Sequence, residues 1–456
     1  MFGSSYQRLL RLFQSKGPGF CWTVGGQILY VLGAAAGVKV LTSLLGPPEF
    51  GMLALGLTIA GMGNLFLYGP FGHAVLRFYS IFRNQGNLQE LYHLIARFQW
   101  MSATVISAST VFLAIGAYQW YGLEIAGLVF FSTIFMVTSG ITSVQIALRN
   151  ALGHYSTVAV AQGTDAWLRV LFACAAILFV QVSATAAVLG YAFAGVVMAI
   201  SLWLLNQKQL VGWAGGAESR PSAPSLQPRT DELYAYAFPF VLFAVFGVVT
   251  SFGDRWLIEY CCGLADVGIY AALHQVAYAP LVVLSNAVNQ FLLPLVYAQA
   301  GDGSSASDLQ RAQRAYRLAL ALAGVCFLAW VSFTFALGEP VLRVLTAPGF
   351  AANHQLLWLL ALGGGIFYFG QILVIRGLYE IQPQRYIFPK AMHAVVFFAL
   401  ACGMLVQGKG MYGVAYASIF ASVAYVSAII YSNSVAQGSV LRWQTHPAAL
   451  LESAKS

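Results

Sequence analysis

Charge is what this sequence has least of. Asp, Glu, Lys and Arg together make up 8% of its residues, against about 25% in an ordinary soluble domain. So few charges cannot cover a water-facing surface, which excludes a soluble globular protein. Acids are the scarcer sign, 15 against 23 basic residues, and the net charge is +8. The basic residues are dispersed over short loops rather than gathered into a stripe, so nucleic acid is excluded as a partner. Cysteines number six (Cys21, Cys174, Cys261, Cys262, Cys326 and Cys402) and none has metal-ligand spacing. Only Cys261 and Cys262 are close together, and vicinal cysteines rarely form a relaxed disulfide, so all six read as small apolar fillers. There is no G-x-x-x-x-G-K-[ST] phosphate loop, so no ATP hydrolysis is encoded, and no cofactor is expected. No Ser/His/Asp cluster or carboxylate pair sits on a sizeable loop. The connection 338–353 carries one acid, Glu339, and one base, Arg343. An enzyme is therefore not expected. No cleavable signal is evident, because residues 1–18 have no apolar core of their own; Leu9, Leu10 and Phe13 against Arg8 and Arg11 predict a short interfacial amphipathic helix.

What is present is apolar sequence. Hydrophobic residues make up 59% of the 456 positions, and mean hydropathy is +0.74. Crossing a ~30 Å hydrocarbon core takes a helix of ~20 residues. Twelve stretches approach or exceed that length: 20–43, 50–70, 97–119, 124–147, 156–181, 184–205, 235–258, 268–297, 316–337, 354–375, 386–406 and 411–432. The second is expected to run on past Pro70 through Arg77. With both termini in the cytoplasm, alternate loops and tails divide eighteen Lys and Arg from two, Arg343 and Lys409, and leave Lys39, Arg169 and Arg255 inside spans. That asymmetry is the positive-inside pattern of a multi-pass membrane protein.

The longest hydrophilic stretch, 206–232, is rich in Gly, Ser and Pro and reads as a flexible linker. The predicted organisation is a bundle over 1–205, a linker over 206–232, a second bundle over 233–436 and a cytoplasmic tail over 437–456. A short repeat relates the two bundles. Gly46-Pro-Pro-Glu49-Phe50-Gly51-Met52-Leu53-Ala54 and Gly263-Leu-Ala-Asp266-Val267-Gly268-Ile269-Tyr270-Ala271 share G-x-x-[DE]-[FV]-G-[MI]-x-A at an offset of 217 residues. Each Gly permits a tight reversal, and the acid is expected to cap the next helix. A weaker echo pairs Ala147-Leu148-Arg149-Asn150 with Val374-Ile375-Arg376-Gly377. With six spans per repeat, the fold is all-α and integral to the membrane: twelve transmembrane helices in two parallel, pseudo-symmetric six-helix bundles, an architecture that transporters use.

Leu44-Leu45-Gly46-Pro47-Pro48-Glu49-Phe50-Gly51 resembles the polysaccharide transporter family of O-antigen and exopolysaccharide flippases, as does Gly253-Asp254-Arg255 with the second repeat motif. That family belongs to the multidrug/oligosaccharidyl-lipid/polysaccharide (MOP) exporter superfamily. The resemblance implies a V-shaped pair of bundles that moves a polyprenyl-diphosphate-linked oligosaccharide across the bacterial inner membrane by alternating access. A cation-coupled multidrug exporter of the same superfamily is the alternative, as is a membrane scaffold that transports nothing. Many such exporters have an acid in the first helix, where this chain has Lys39. A peptidoglycan-precursor flippase would tend to have further spans after the twelfth. Polysaccharide polymerase and chain-length machinery, and a coupling cation, stand as candidate partners beside the lipid-linked substrate.

Ionisable groups inside spans are the first candidates for that work. Gln162, Asp165 and Arg169 fall within ~60° on one helix face, either as a self-neutralising ion pair or as a polar cavity lining in which Arg169 meets an anionic substrate and Asp165 sets its position or takes a coupling cation. Lys39 either snorkels to the interface or faces the substrate path. Asp254 and Arg255 lie at matching depth in the seventh span, either as a structural pair or with Arg255 facing the path; neighbours on a helix point ~100° apart, so the two are not expected to share a direction. In the eighth span His274, Tyr278, Ser285 and Asn289 form a polar stripe, interhelical glue or a surface for sugar hydroxyls. Arg77, near the cytoplasmic end of the second helix, is either ordinary positive-inside charge or a phosphate contact at the entrance.

Overall fold

A computed structural model describes residues 2–84, 86–214, 230–288, 306–379 and 383–445. Every regular element among them is helical. In chain order they are α1 (Phe2–Gly63), a π turn (Asn64–Tyr68), α2 (Gly69–Asn84), α3 (Leu88–Tyr121), α4 (Leu123–Ala151), α5 (Tyr155–Phe179), α6 (Ala184–Ala214), α7 (Thr230–Ser251), α8 (Gly253–Cys262), α9 (Leu264–Ala287), α10 (Ala306–Leu345), α11 (Pro348–Ala351), α12 (His354–Leu373), α13 (Ile375–Tyr379), a 3-10 turn (Pro383–Tyr386), α14 (Ile387–Val406) and α15 (Gly410–Thr445). Asn289, with its neighbours Gln290 and Pro294, lies outside the described residues.

Among the described residues ten helices are long and apolar enough to cross a membrane, or eleven when the bent pair Glu232–Phe238 and Phe243–Ser251 is one span. The first of them, Cys21–Arg83, has 63 residues. At ~1.5 Å per residue it would be ~95 Å long if straight, three times the hydrocarbon thickness. It is not straight. Gly46 has φ +70° and ψ 174°, a conformation open essentially to glycine alone. The neighbours on either side of Gly46 fix the direction of each arm. Before Gly46, an added Cβ at Gly26, Gly33 and Gly37 would meet Ala159, Ala166 and Val170 of α5 in turn, so the two helices run the same way. After Gly46, Gly56 and Gly63 abut Ser132 and Met136, parallel to α4. Gly127 meets Thr185 and Gly195 meets Phe135, so α4 runs with α6, whereas α6 returns antiparallel to α5 through residues 180–183. The two arms of α1 are therefore opposed, a hairpin of two crossings. With that split, the two arms of α1 correspond to the first two predicted stretches.

Other departures from regular helix have local causes. Pro70 has no N–H for the carbonyl of Phe66, and the ladder widens just before it: the N–H of Gly69 reaches back to the carbonyl of Asn64, one residue beyond the α pattern. As expected, the helix then continues past Pro70. Pro340 likewise forfeits the bond to Ala336, and Leu337 is non-helical (φ −122°, ψ 18°). The sixth span runs further than predicted, because α6 continues to Ala214 and Asn206 packs at 3% exposure.

The chain forms two compact units, Met1–Val276 with Glu339–Asn353, and Ala277–Gly338 with His354–Ser456. In the first, Phe71, Val75, Phe78 and Phe82 of α2 meet Leu91, Ile95 and Phe98 of α3, with Val144 and Leu148 of α4 and Leu233 of α7. The 3- and 4-residue spacings put each set on one helix face. In the second, Leu281 of α9 packs with Ala323 and Phe327 of α10 and Ile372 of α12. Lipid is as apolar as these side chains, so close van der Waals fit rather than water exclusion holds the helices together. The first arm of α1 and α5 show why small residues are needed: a Cβ at Gly26 would lie 2.6 Å from Ala159 Cα.

The repeat motif is where the first unit is tightest. Gly263, equivalent to Gly46, has φ 93° and ψ 175°, the same glycine-only conformation. Gly51 and Gly268, the second glycines of the two copies, face each other. A Cβ on Gly51 would overlap the Leu264 carbonyl and lie 2.9 Å from Gly268 N; one on Gly268 would overlap the Pro47 carbonyl and lie 3.0 Å from Gly51 N. The two copies thus pack on one another reciprocally. The acid does not act as expected. Glu49 caps not its own helix but α6, its Oε2 accepting the Ala184 N–H at 2.7 Å.

Candidate functional site

The seventh span is broken. α7 ends at Ser251, Phe252 is non-helical, and α8 starts at Gly253. A break exposes carbonyls at one end and N–H groups at the other, and each attracts the opposite charge. Arg255 Nη1 donates to the Ser251 carbonyl at 2.8 Å. Asp254, in the first turn of α8 and 2% exposed, accepts the Arg255 N–H at 2.8 Å. Contrary to the expectation from helix geometry, the two side chains meet: the long guanidinium folds back to 3.5 Å from Asp254 Oδ1. Its Nη2 lies 3.4 Å from His274 Nδ1 on α9. Tyr270 hydrogen-bonds the Asp254 carboxylate and sets its ring 5.9 Å from that of His274. Four polar side chains from two elements thus converge beside the second repeat motif.

Asp165 and Arg169 of α5 form the predicted i,i+4 ion pair. The guanidinium carbon also sits 4.9 Å above the Phe135 ring of α4, a cation–π contact. Gln162, on the same face, accepts from Gln27 of α1 at 3.1 Å. This cluster lies inside the first unit, among α1, α4 and α5.

Lys39 is elsewhere. Its ammonium donates to the carbonyls of Thr346 (2.7 Å) and Arg343 (3.2 Å), at the end of α10. Thr42, one turn on, accepts the Ala347 N–H at 3.1 Å, and Phe50 meets Phe350 edge to face at 5.9 Å. The first helix therefore caps and holds the segment 339–353, using a cation at a helix C-terminus as the dipole favours. Arg77 is exposed on α2. Tyr278 belongs to the second unit, where its ring is 6.2 Å from that of Tyr368 and packs on Gly364. The structure brings Asp254, Arg255 and His274 together, and Asp165 with Arg169; it does not bring Lys39 or Arg77 to either cluster.

Sequence reading missed one buried chain of amides. Gln145 of α4 donates to Gln99 of α3 at 3.0 Å, and Asn206 of α6 donates to Gln145. All three are under 8% exposed. Among the described residues no group of three His, Cys, Asp or Glu is placed to hold a metal ion.

Residues 40–351 match the polysaccharide biosynthesis protein family. Comparison with curated proteins by sequence finds no match. Among solved structures, the lipid II flippase MurJ in an inward closed conformation is similar at a TM-score of 0.67 and 13% identity, over 91% of this chain and 87% of that one. An inward-facing multidrug resistance MATE family transporter of the MOP superfamily is similar at 0.62 and 15% identity, over 90% and 95%. A MOP superfamily transporter from Pyrococcus furiosus, described as having a binding pocket of reverse polarity, is similar at 0.57 and 13%, over 91% and 93%. At such identities the likeness concerns the fold, which is that of MOP-superfamily transporters. With the match spanning more than half its length, the chain belongs to the polysaccharide biosynthesis protein family, as a multi-pass membrane protein.

Proposed function

We propose that this protein is a flippase that carries a polyprenyl-diphosphate-linked oligosaccharide, an O-antigen or exopolysaccharide repeat unit, from the cytoplasmic to the periplasmic face of the bacterial inner membrane. The observation that carries the proposal is the family membership over 40–351, a stretch holding every candidate site residue except Lys39. Six-helix halves over 1–205 and 233–436, with both termini cytoplasmic, would rock about the substrate path. Arg255, with Asp254 and His274 beside it, is the headgroup contact: its present partners are a backbone carbonyl, an imidazole and one carboxylate at 3.5 Å, all of which a diphosphate outcompetes in charge. Arg169 supplies a second cation, balanced by Asp165, whereas Lys39 is held by the carbonyls at the end of α10. His274, Tyr278 and Asn289 offer hydrogen bonds to sugar hydroxyls, and Arg77 a phosphate contact at the entrance. One charge moved through 100 mV is worth about 2.3 kcal/mol, so the membrane potential or a coupled cation suffices to bias the cycle without ATP.

The test is complementation of a strain lacking its surface-polysaccharide flippase, at matched expression, by the intact chain and by Lys39→Ala, Arg169→Ala and Arg255→Ala. Export restored by the intact chain and lost with Arg255→Ala is the expected result. Export undiminished in all three variants removes the cationic site. Failure of the intact chain to restore export, with resistance to cationic dyes instead, replaces the proposal with multidrug export.

A further inference from the structure

We infer that Arg149 is the centre of a second anion site, one that takes the phosphate of a lipid headgroup at the end of the first unit assigned to the cytoplasm by the charge count. The inference rests on the flippase reading only for the identity of the lipid. Arg149 occupies the last turn of α4 and is 4% exposed. Its Nη1 lies 3.1 Å from His154 Nδ1, while Nε and Nη2 are buried with no hydrogen-bond partner. The arginines inside spans differ in this respect. Arg169 has Asp165 and Arg255 has Asp254; among the described residues Arg149 enters no ion pair. A buried guanidinium without a counter-charge is costly, and groups in that position are normally neutralised by an anion.

The surroundings favour an anion over a missing side-chain partner. Gly153, at φ +75°, turns the chain so that α5 begins beside the guanidinium, and His154 puts no side-chain cap on the first N–H groups of that 25-residue helix. Those groups add donors and the positive end of a helix dipole to the same spot. Tyr92 of α3 lies within electrostatic range of Arg149. One turn back on α4, Gln145 is locked between Gln99 and Asn206, which fixes the rotation of α4 and hence the face on which Arg149 stands. The two unpartnered nitrogens offer the paired N–H geometry that phosphate oxygens match.

The test uses the full chain in phosphatidylcholine nanodiscs with three probes: farnesyl diphosphate, inorganic diphosphate, and phosphatidylglycerol added to the bilayer. Binding is read by ligand-induced thermal stabilisation of the wild type, R149Q and R149K. The wild type is expected to bind farnesyl diphosphate, with affinity at least tenfold weaker in R149Q and partly retained in R149K. Without ligand R149Q is expected to melt at or above the wild type, since it loses an uncompensated buried charge. A response to phosphatidylglycerol alone, lost in R149Q, supports the phosphate site and names bilayer phospholipid as its source; a response to inorganic diphosphate that R149Q abolishes supports it and shows that no lipid tail is needed. Equal binding of every probe by wild type and R149Q overturns the inference, as does a wild type that binds none. Should R149Q fail to fold, R149K decides: it keeps the charge but not the fork, and wild-type affinity in R149K overturns the inference. Complementation by the intact chain reports on the flippase reading separately, so either can fail alone.

Discussion

The reciprocal packing of Gly51 on Gly268 gives the sharpest prediction about this fold. Four alanine substitutions separate backbone strain from collision. At Gly46 an added Cβ has nothing within 4 Å, but the residue sits at φ +70°; Gly46→Ala therefore costs strain alone, about 1–3 kcal/mol. At Gly51 a Cβ overlaps the Leu264 carbonyl and stands 2.9 Å from Gly268 N and 3.1 Å from Leu264 C. These are backbone atoms that cannot rotate away, so the second arm of α1 and α9 must separate, an overpacking cost of about 3 kcal/mol or more. Gly268→Ala collides with the Pro47 carbonyl and should cost the same. Separation relieves both collisions at once, so the double variant should cost little more than either single one. Gly25→Ala, within α1 with no neighbour inside 4 Å, should be neutral or stabilising by about 0.5–1 kcal/mol. Unfolding by SDS in mixed micelles, followed by the fluorescence of the ten tryptophans, gives the order. A Gly51→Ala protein as stable as Gly25→Ala, or a double variant that loses the full sum, would refute the packing argument.

Three further outcomes are expected. Asp165→Asn strands the Arg169 guanidinium and should destabilise by about 3–5 kcal/mol, most of it recovered in Asp165→Asn/Arg169→Gln, because a buried pair costs most when half removed; the same micelle titration measures it. Lys39→Met removes two charge-assisted bonds to the end of α10, each worth about 1.5–3 kcal/mol, so amide exchange over 343–350 should accelerate at least tenfold by mass spectrometry while exchange in α4 stays unchanged. Gln145→Leu leaves the amides of Gln99 and Asn206 buried without their shared partner and should cost about 2–3 kcal/mol, more than Gln145→Asn.

Much of the fold was legible in sequence because its causes are local. A crossing is ~20 apolar residues in a row, so the positions of the long apolar helices follow from composition along the chain. Positive φ belongs to one residue, so the first glycines of the two repeats announced the turns at Gly46 and Gly263. The Asp165–Arg169 pair was readable because i,i+4 side chains on a helix meet whatever surrounds them.

Partners far apart in the chain were not readable, and the tertiary structure decided them. Glu49 reaches α6 rather than its own helix; Lys39 reaches a helix end some 307 residues away. Asp254 and Arg255 meet despite their divergent directions because a break in the seventh span leaves the Ser251 carbonyl where it draws the guanidinium back. The same is true of what is missing: only packing reveals that Arg149 forms no ion pair among the described residues, for a sequence states where the charges are but not which of them meet. Helix and span are set by interactions within a few residues, which the order of amino acids contains directly. The pairing of charges depends on which helix faces meet, and that is settled by small-residue contacts such as Gly26 on Ala159 and Gly51 on Gly268, where the backbones approach closely enough to choose one neighbour over another.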